Sequence, residues 1–200
     1  MIKRSILFIS LLALSAGIQA YSFQSIKDHL AAAPCVSIDF LSILHSDVFS
    51  SVDTQNCSAY LARDGRYLVA IGTDVYLCDN RLLYSYSASN NQVVEQKSDS
   101  AAGEARQLAY LTRLDELYKT TILESDKQYK LTRRGKSAGS LPDSMTVTID
   151  KSKGRIVKIE YFDINEERVS IVLLKESLLE KCDESRFMPN FPDSVETVKL

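Results

Sequence analysis

Residues 60–97 alternate between short apolar or tyrosine-rich runs and turn sequences. The turns fall at residues 64–65, 72–74 and 79–80, and they separate runs such as YLVAIG and VYLC. Gly, Asn and Asp favour tight turns, and apolar runs of this length favour strands. Because consecutive strands joined by tight turns lie side by side, the sheet should be antiparallel. This stretch therefore restricts the chain to a mainly β fold.

Strand patterns continue on both sides of residues 60–97. The run CVSIDFLSILHSDVFS alternates apolar and polar residues and leaves room for a bulge near Leu41. The runs QYKLTRRG, SMTVTID, GRIVKIEYFD and RVSIVLLKE predict further strands and hairpins, whereas Pro189 and Pro192 delay the last strand until Val195. The pattern predicts about ten or eleven strands, and so many antiparallel strands curl into a barrel or a half barrel.

Two segments have helical periodicity instead. Residues 22–33 place Phe23, Ile26 and Leu30 at helical spacing before Pro34, which predicts a short amphipathic helix. Residues 101–123 carry an apolar stripe at the same spacing, made of Leu108, Leu111, Leu114, Leu117, Tyr118 and Ile122. This second helical segment is either one helix or two. No alternation of strands and helices surrounds it, so it should lie across the sheet and cover a pocket. The predicted class is α+β, mainly β with helices.

The first twenty residues have the pattern of a secretory signal peptide. A basic start, an apolar stretch too short to span a membrane and a final small residue predict cleavage after Ala20. Residues 21–200 should then form a single exported domain, with no lipid anchor because no cysteine follows the cut. Removing Lys3 and Arg4 from a chain of formal charge −2 leaves −4. That charge gives no basic surface for nucleic acid or anionic lipid.

Four cysteines, Cys35, Cys57, Cys78 and Cys182, lie in the predicted mature chain. An even number of cysteines in an exported protein favours structural disulfides, here two, with three possible pairings. Free thiols are the alternative. No two cysteines have the C-x-x-C spacing of a redox or zinc site, and the chain contains only two histidines. The sequence therefore predicts no metal site.

No residue pattern indicates catalysis or a bound cofactor. The chain lacks a G-x-S-x-G sequence, and its seven glycines are scattered singly rather than gathered in a phosphate-binding loop. His45 could act as a base, but a histidine on a strand among polar neighbours is more often a solvated side chain. Five tyrosines form either an aromatic binding platform or an ordinary strand composition: Tyr60, Tyr67, Tyr76, Tyr84 and Tyr86. We expect no enzyme activity.

Several segments, in this order, resemble the LolA family of periplasmic carrier proteins for outer-membrane lipoproteins. An opening helix leads to the long strand CVSIDFLSILHSDVFS, and the short strand YLAR ends in Arg63 with Tyr67 after it. YSYSASNNQVV, the helical segment, the two late hairpins and the closing RFMPNFPDSVETVKL follow. The resemblance covers essentially the whole mature chain. It departs from the family pattern at Asp64, where a proline is usual.

The resemblance implies an unclosed half β-barrel of about eleven strands under a helical lid, with an apolar cavity for the acyl chains of lipoproteins. Strand residues expected to face this cavity are Phe40, Ile43, Leu61, Val69, Tyr76, Tyr84, Ile159 and Leu173. The lid is expected to contain Leu108, Leu111, Leu114 and Leu117, with Arg63 as the arginine that holds it shut.

The same resemblance implies the partners of a periplasmic carrier. These are acylated lipoproteins, an inner-membrane ABC transporter that releases them, and an outer-membrane receptor that accepts them, and we expect the carrier to be a monomer. A lipid-sensing or lipoprotein-sensing protein of the same architecture is an alternative. An enzyme acting on cell-wall or lipid substrates is a further alternative, disfavoured because no nucleophile and base stand out.

Overall fold

A computed structural model describes residues 20–98, 110–123, 125–135, 141–163 and 165–200. The predicted signal peptide, except for Ala20, and the predicted lid residue Leu108 lie outside the described residues. Among the residues that are described, no helix is long and apolar enough to cross a membrane.

Over the described residues, twelve strands form one continuous sheet. Its order is β12-β6-β5-β4-β3-β2-β1-β11-β10-β9-β8-β7, so β12 and β7 are opposite edges that do not pair, and the sheet is unclosed as predicted. The strands are β1 (Cys35–Ser46), β2 (Ser51–Ala62), β3 (Tyr67–Ile71), β4 (Asp74–Cys78), β5 (Leu82–Ser87), β6 (Gln92–Lys97), β7 (Tyr118–Ile122), β8 (Gln128–Arg133), β9 (Ser144–Asp150), β10 (Arg155–Phe162), β11 (Arg168–Leu179) and β12 (Glu196–Lys199).

Two details of the predicted sheet are wrong. The described residues contain twelve strands rather than ten or eleven, and β12 pairs with β6 in parallel, with Thr197 opposite Val93. The other pairs are antiparallel, as predicted from the tight turns between consecutive strands. A tight turn can only reverse the chain, whereas the long connection between β11 and β12 allows the last strand to run parallel to its neighbour.

Apolar side chains on one face of the sheet form the main core, and we call this the inner face. In β1 and β2, Val36 lies opposite Leu61 and Ile38 opposite Ala59, and all four side chains are buried. Every second residue of the other strands continues this surface from β5 to β8. Burial of apolar area is the main favourable contribution to folding, at roughly 25 cal/mol per Å².

Helix α1 (Phe23–Ala32) packs on the inner face and agrees with the predicted helix to within one residue at each end. It begins after Ser22, whose Oγ accepts a hydrogen bond from the Ser25 backbone N–H at 3.0 Å. Its buried apolar side chains have the helical spacing read from the sequence: Phe23, Ile26 and Leu30. The Phe23 ring stacks on that of Tyr129, with 4.4 Å between ring centroids, and so joins α1 to β8.

The second predicted helix is mostly absent from the described residues. Residues 110–113 form a 3-10 turn and residues 114–117 form one turn of α-helix, α2, and together we call them the cover segment. Residues 118–122, predicted to be helical, are strand β7 and pair with β8. From residue 118 onward the helical prediction is wrong, because the β-branched Thr120, Thr121 and Ile122 favour a strand.

The opposite, outer face carries a smaller core under the chain that follows β11. Cys182 is joined to Cys35 by a disulfide, and the Phe187 ring packs against Tyr60 with 5.4 Å between centroids. Phe191 lies further along, with its ring centroid 5.6 Å from that of Tyr86. The disulfide closes a sequence separation of 147 residues and is suited to an oxidising compartment.

The expected second disulfide is not present: Cys57 and Cys78 are buried and not joined to each other. The pairing of strands explains why. Cys57 lies opposite Ile71 at one end of β3, and Cys78 lies opposite Tyr67 at the other end. The two cysteines are therefore separated by an intervening strand and by four residues along it, whereas a disulfide needs Cα atoms about 4.4–6.8 Å apart.

Candidate functional site

A cavity of about 260 Å³ opens at one end of the inner face. It lies over five adjacent strands, β3, β2, β1, β11 and β10, at the end where the β1–β2 and β10–β11 hairpins turn. Its floor and walls are apolar and come from alternate residues of these strands: Phe40, Leu44, Val69, Ile71, Tyr161, Val169 and Ile171.

The mouth of the cavity is polar. It contains Asp53, Asp163, Asn165 and Glu167, while Ser42 and its partner Gln55 add polar groups further in, between Phe40 and Leu44. The Asp163 carboxylate accepts hydrogen bonds from the backbone N–H groups of Asn165 and Glu167, both at 2.9 Å, and so fixes the β10–β11 turn. On the other side, Gln55 Nε2 donates to Asp53 Oδ2 at 3.0 Å. An apolar interior below a polar mouth suits an amphiphile whose apolar part is buried and whose polar part meets solvent.

The cavity lining shows no arrangement for covalent or metal chemistry. Its described residues include no histidine and no cysteine, and the described part of the chain contains no group of three metal-ligating side chains close together. His45 belongs to the outer face of β1, because it follows Leu44, which lines the cavity from the inner face.

The cover segment and α1 close the rest of the inner face. Leu111 and Leu114 are only 1% and 3% exposed and belong to the main core, and Leu117 packs against it while partly buried. Three of the predicted lid leucines thus contact the core directly. The described part of their segment, residues 110–117, forms two short turns, and in this state Leu111 and Leu114 fill part of the inner face.

An ion pair joins α1 to the cover segment. The ammonium of Lys27 donates to the carboxylate of Asp115, and Gln24 Nε2 donates to the other carboxylate oxygen at 2.9 Å. Lys27 is buried, and its ammonium also lies 5.2 Å from the centre of the Phe23 ring. Partial burial raises the pKa of Asp115, but the hydrogen bonds from Lys27 and Gln24 outweigh it and lower this pKa below the usual value.

Arg63, the predicted holder of the lid, contacts α1 instead of the cover segment. Its guanidinium Nη1 donates to the Ala32 carbonyl at 3.3 Å, and its backbone N–H donates to the Pro34 carbonyl at 3.0 Å. The first bond satisfies a carbonyl at the C-terminal end of α1, where a cation is favourable. The polar contacts that reach the cover segment come from Lys27 and Gln24, which helical periodicity alone did not single out because such side chains are usually solvated.

Most of the predicted cavity residues lie on the inner face. Phe40 and Val69 line the cavity itself. Leu61, Ile159 and Leu173 are buried in the main core, and Tyr76 packs against that core while partly buried.

Two predicted cavity residues lie on the outer face. Ile43 alternates with Ser42 and Leu44, which both line the cavity. Tyr84 belongs to the outer core, with its ring centroid 6.2 Å from that of Phe191. The bulge predicted near Leu41 explains why Ile43 was assigned to the wrong face. The irregularity falls between Asp39 and Phe40 in the pairing of β1 with β11, and the extra residue is on β11, so β1 keeps its alternation through Leu44.

Sequence reasoning missed five apolar residues of the cavity: Leu44, Ile71, Tyr161, Val169 and Ile171. Strict alternation from Phe40 leads to Leu44, and alternation from Val69 leads to Ile71, so the signal was present in β1 and β3. The other three follow from the pairing of β10 with β11, since Tyr161 lies opposite Val169 and Ile159 opposite Ile171. That register depends on long-range pairing, which one sequence does not specify.

Several solved structures resemble this chain in fold. An uncharacterized conserved protein from Thermus thermophilus matches with a TM-score of 0.52 and 12% identity, over 88% of this chain and 98% of that chain. A LolA superfamily protein from Nitrosomonas europaea matches with a TM-score of 0.45 and 12% identity, over 85% of this chain and 99% of that one. A DUF1329 family protein from Desulfovibrio piger matches with a TM-score of 0.46 and 9% identity, over 84% and 98% respectively.

No family model and no curated protein sequence matches the chain. The likeness to solved structures therefore concerns the fold alone. The matched structures include a LolA superfamily protein, but at these identities the likeness does not assign this chain to a family.

Proposed function

We propose that the mature chain, cleaved after Ala20, is a periplasmic carrier that binds the acyl chains of lipoproteins in the inner-face cavity. In this proposal it takes lipoproteins from an inner-membrane ABC transporter and delivers them to an outer-membrane receptor, as a single-domain monomer. The observation that carries the proposal is the cavity itself, which has a mainly apolar interior, a polar mouth and a position over five central strands of an unclosed sheet.

The size of the cavity supports a closed resting state. Its volume of about 260 Å³ is just below the roughly 300–1,000 Å³ of ligand pockets. Part of one acyl chain fits, and a larger acyl load requires α1 or the cover segment to move away from the inner face. The core surface that Leu111 and Leu114 had covered is then covered by acyl chains, so one apolar contact is exchanged for another.

This exchange explains how a carrier releases its load. Burying a methylene group contributes about 0.8 kcal/mol, so a membrane-length acyl chain in a dry pocket would gain on the order of 10 kcal/mol. Several chains held that tightly would not dissociate. Because binding must first separate the cover segment from the core and break the contact between Lys27 and Asp115, part of this gain is lost. Affinity is reduced to a level that permits transfer.

Two neighbouring residues of β1 give a matched test of acyl binding. Leu44 and Ile43 are both half-buried and adjacent, but only Leu44 lines the cavity. We expect Leu44→Asp to lower the affinity for a fluorescent fatty-acyl probe by about tenfold or more, because it places a carboxylate beside the bound chain. Ile43→Asp should leave the affinity within about twofold of the unsubstituted chain, a tolerance close to the ordinary error of such mutational comparisons.

The probe titration decides between the cavity and any other acyl site. Equal effects of the two substitutions, with both variants folded by circular dichroism, would contradict binding in this cavity. Failure of the unsubstituted mature chain to bind the probe at all would contradict the proposed function.

A further inference from the structure

The tip of the β1–β2 hairpin exposes large apolar side chains beside the cavity. Val48 is 83% exposed and Phe49 is 78% exposed, and they are neighbours in the turn between the two strands. Turns usually hold Gly, Asn, Asp, Ser or Pro. In this turn Ser50 adopts the left-handed conformation, with a φ of 50°. Two large apolar residues in solvent therefore do not serve the turn itself.

The hairpin projects beyond the strand next to it. β3 pairs with β2 only from Cys57 onward, so residues 51–56 have no neighbour in β3 and all six are exposed. Six strand residues extend about 20 Å at roughly 3.4 Å per residue. On its other side, β1 pairs with β11 as far as His45, so only the tip, residues 46–51, extends beyond both neighbouring strands.

The base of this projection forms one wall of the cavity. Ser42 and Leu44 of β1 and Asp53 and Gln55 of β2 line this side of the cavity, with Leu44 and Asp53 nearest the tip. A ligand that leaves the cavity along this wall reaches Phe49. The tip therefore lies at the end of the cavity wall that the hairpin provides.

The apolar surface extends from the tip along the outer face. Val52 and Phe162, each 62% exposed, lie at the two ends of a cross-strand row. Pairing places His45 opposite Val52, Arg168 opposite His45 and Phe162 opposite Arg168. Two exposed apolar side chains thus flank His45 and Arg168 at the end of the sheet where the cavity opens.

Charges near the tip indicate what kind of surface it meets. Asp47 and Asp53 lie on the hairpin, which has no lysine or arginine, and Arg168 is the cation in the adjacent row. This distribution gives no attraction to an anionic bilayer. A convex tip with a phenylalanine suits the interfacial region of a lipid layer, where such side chains insert without a preformed pocket.

We propose that Val48 and Phe49 insert into the surface of a neutral lipid bilayer and place the cavity mouth at the membrane. The inference extends the proposed function, because it assigns the place where acyl chains enter and leave. Two apolar side chains without electrostatic support give weak and reversible binding, as a carrier that must leave the membrane requires.

The absence of tryptophan from the chain makes a direct test possible. Phe49→Trp introduces one fluorophore at the tip, and Met188→Trp introduces one at a position that is 64% exposed and lies on the chain after β11. Both mature proteins are mixed with phosphatidylcholine vesicles, with and without brominated lipids. We expect a blue shift and bromine quenching for the tryptophan at position 49 and neither for the one at position 188.

A second variant checks the energetic role of the tip. Val48→Ser combined with Phe49→Ser should lower the fraction that co-floats with the vesicles by about tenfold, while fatty-acyl probe binding in solution stays unchanged. No spectral change at position 49, or equal changes at positions 49 and 188, would overturn the proposal. Because probe binding is measured without vesicles, failure of the membrane contact is distinguishable from failure of the acyl site.

Discussion

The ammonium of Lys27 on α1 donates to the carboxylate of Asp115 in the cover segment, and it does so from a position that is only 6% exposed. Asp115 itself is 51% exposed and also accepts a hydrogen bond from Gln24. The two elements that cover the inner face are therefore held together by a charged contact that is protected from water at one end. In the proposed carrier this contact opposes opening.

Replacing Asp115 with Asn tests that role. The substitution leaves the Lys27 charge buried without its carboxylate, so it destabilises the closed state. If acyl binding requires opening, the apparent affinity for the fatty-acyl probe should rise, by about fivefold. Glu116→Gln is the matched control, since Glu116 pairs with Arg113 at an exposed site in the same turn. An unchanged or weaker affinity in the Asp115 variant would show that the ion pair does not restrain opening.

Tyr118 should make stability depend on alkaline pH. Burial raises its pKa to about 12, Arg133 lowers it and Asp143 raises it, and its hydroxyl donates to the Pro142 carbonyl at 3.1 Å. A raised pKa stabilises the protonated folded form, so the contribution is complete below the unfolded value near 10 and is lost as pH rises through about 12.

The Tyr118→Phe variant isolates this contribution. At neutral pH it should lose about 1 kcal/mol of unfolding free energy, because one buried hydrogen bond is removed. As the pH rises through 10 toward 12, the unsubstituted chain should lose stability faster than the variant, and the difference should shrink. Urea unfolding at several pH values measures it, and a constant difference would mean that Tyr118 does not titrate in this way.

The disulfide between Cys35 and Cys182 should stabilise the domain substantially. It closes a sequence separation of 147 residues and anchors the chain that crosses the outer face. Replacing both cysteines with Ser should lower the free energy of unfolding by about 2–5 kcal/mol. The double variant provides its own control, because a reductant should shift the denaturation midpoint of the unsubstituted chain and not that of the variant. Equal midpoints without reductant would contradict a structural role.

Local patterns predicted much of this fold. The turns at residues 64–65, 72–74 and 79–80 separate consecutive antiparallel strands, and the spacing of Phe23, Ile26 and Leu30 predicts α1. At these places the structure is determined by interactions between residues that are close together in the sequence. Residues 118–122 were wrongly predicted as helical, because their pairing with β8 outweighs their helical spacing.

The site was harder to predict than the fold. Ile43 and Tyr84 were assigned to the cavity by their apolar character, but the face of a strand residue depends on its register with neighbours. The parallel pairing of β12 and the single disulfide likewise depend on where the chain after β11 crosses the sheet. Lys27 shows the same limit, since only the packed structure brings it to Asp115.

The most direct test of the central claim is a lipoprotein release assay. The mature chain is added to spheroplasts that synthesise a labelled outer-membrane lipoprotein, and the label in the supernatant is measured beside Leu44→Asp and Ile43→Asp variants. The account predicts release as a soluble complex by the unsubstituted chain and by Ile43→Asp, and little release by Leu44→Asp. No release by the unsubstituted chain, while it still binds a fatty-acyl probe, would contradict the carrier function and leave a lipid-binding protein with a different role.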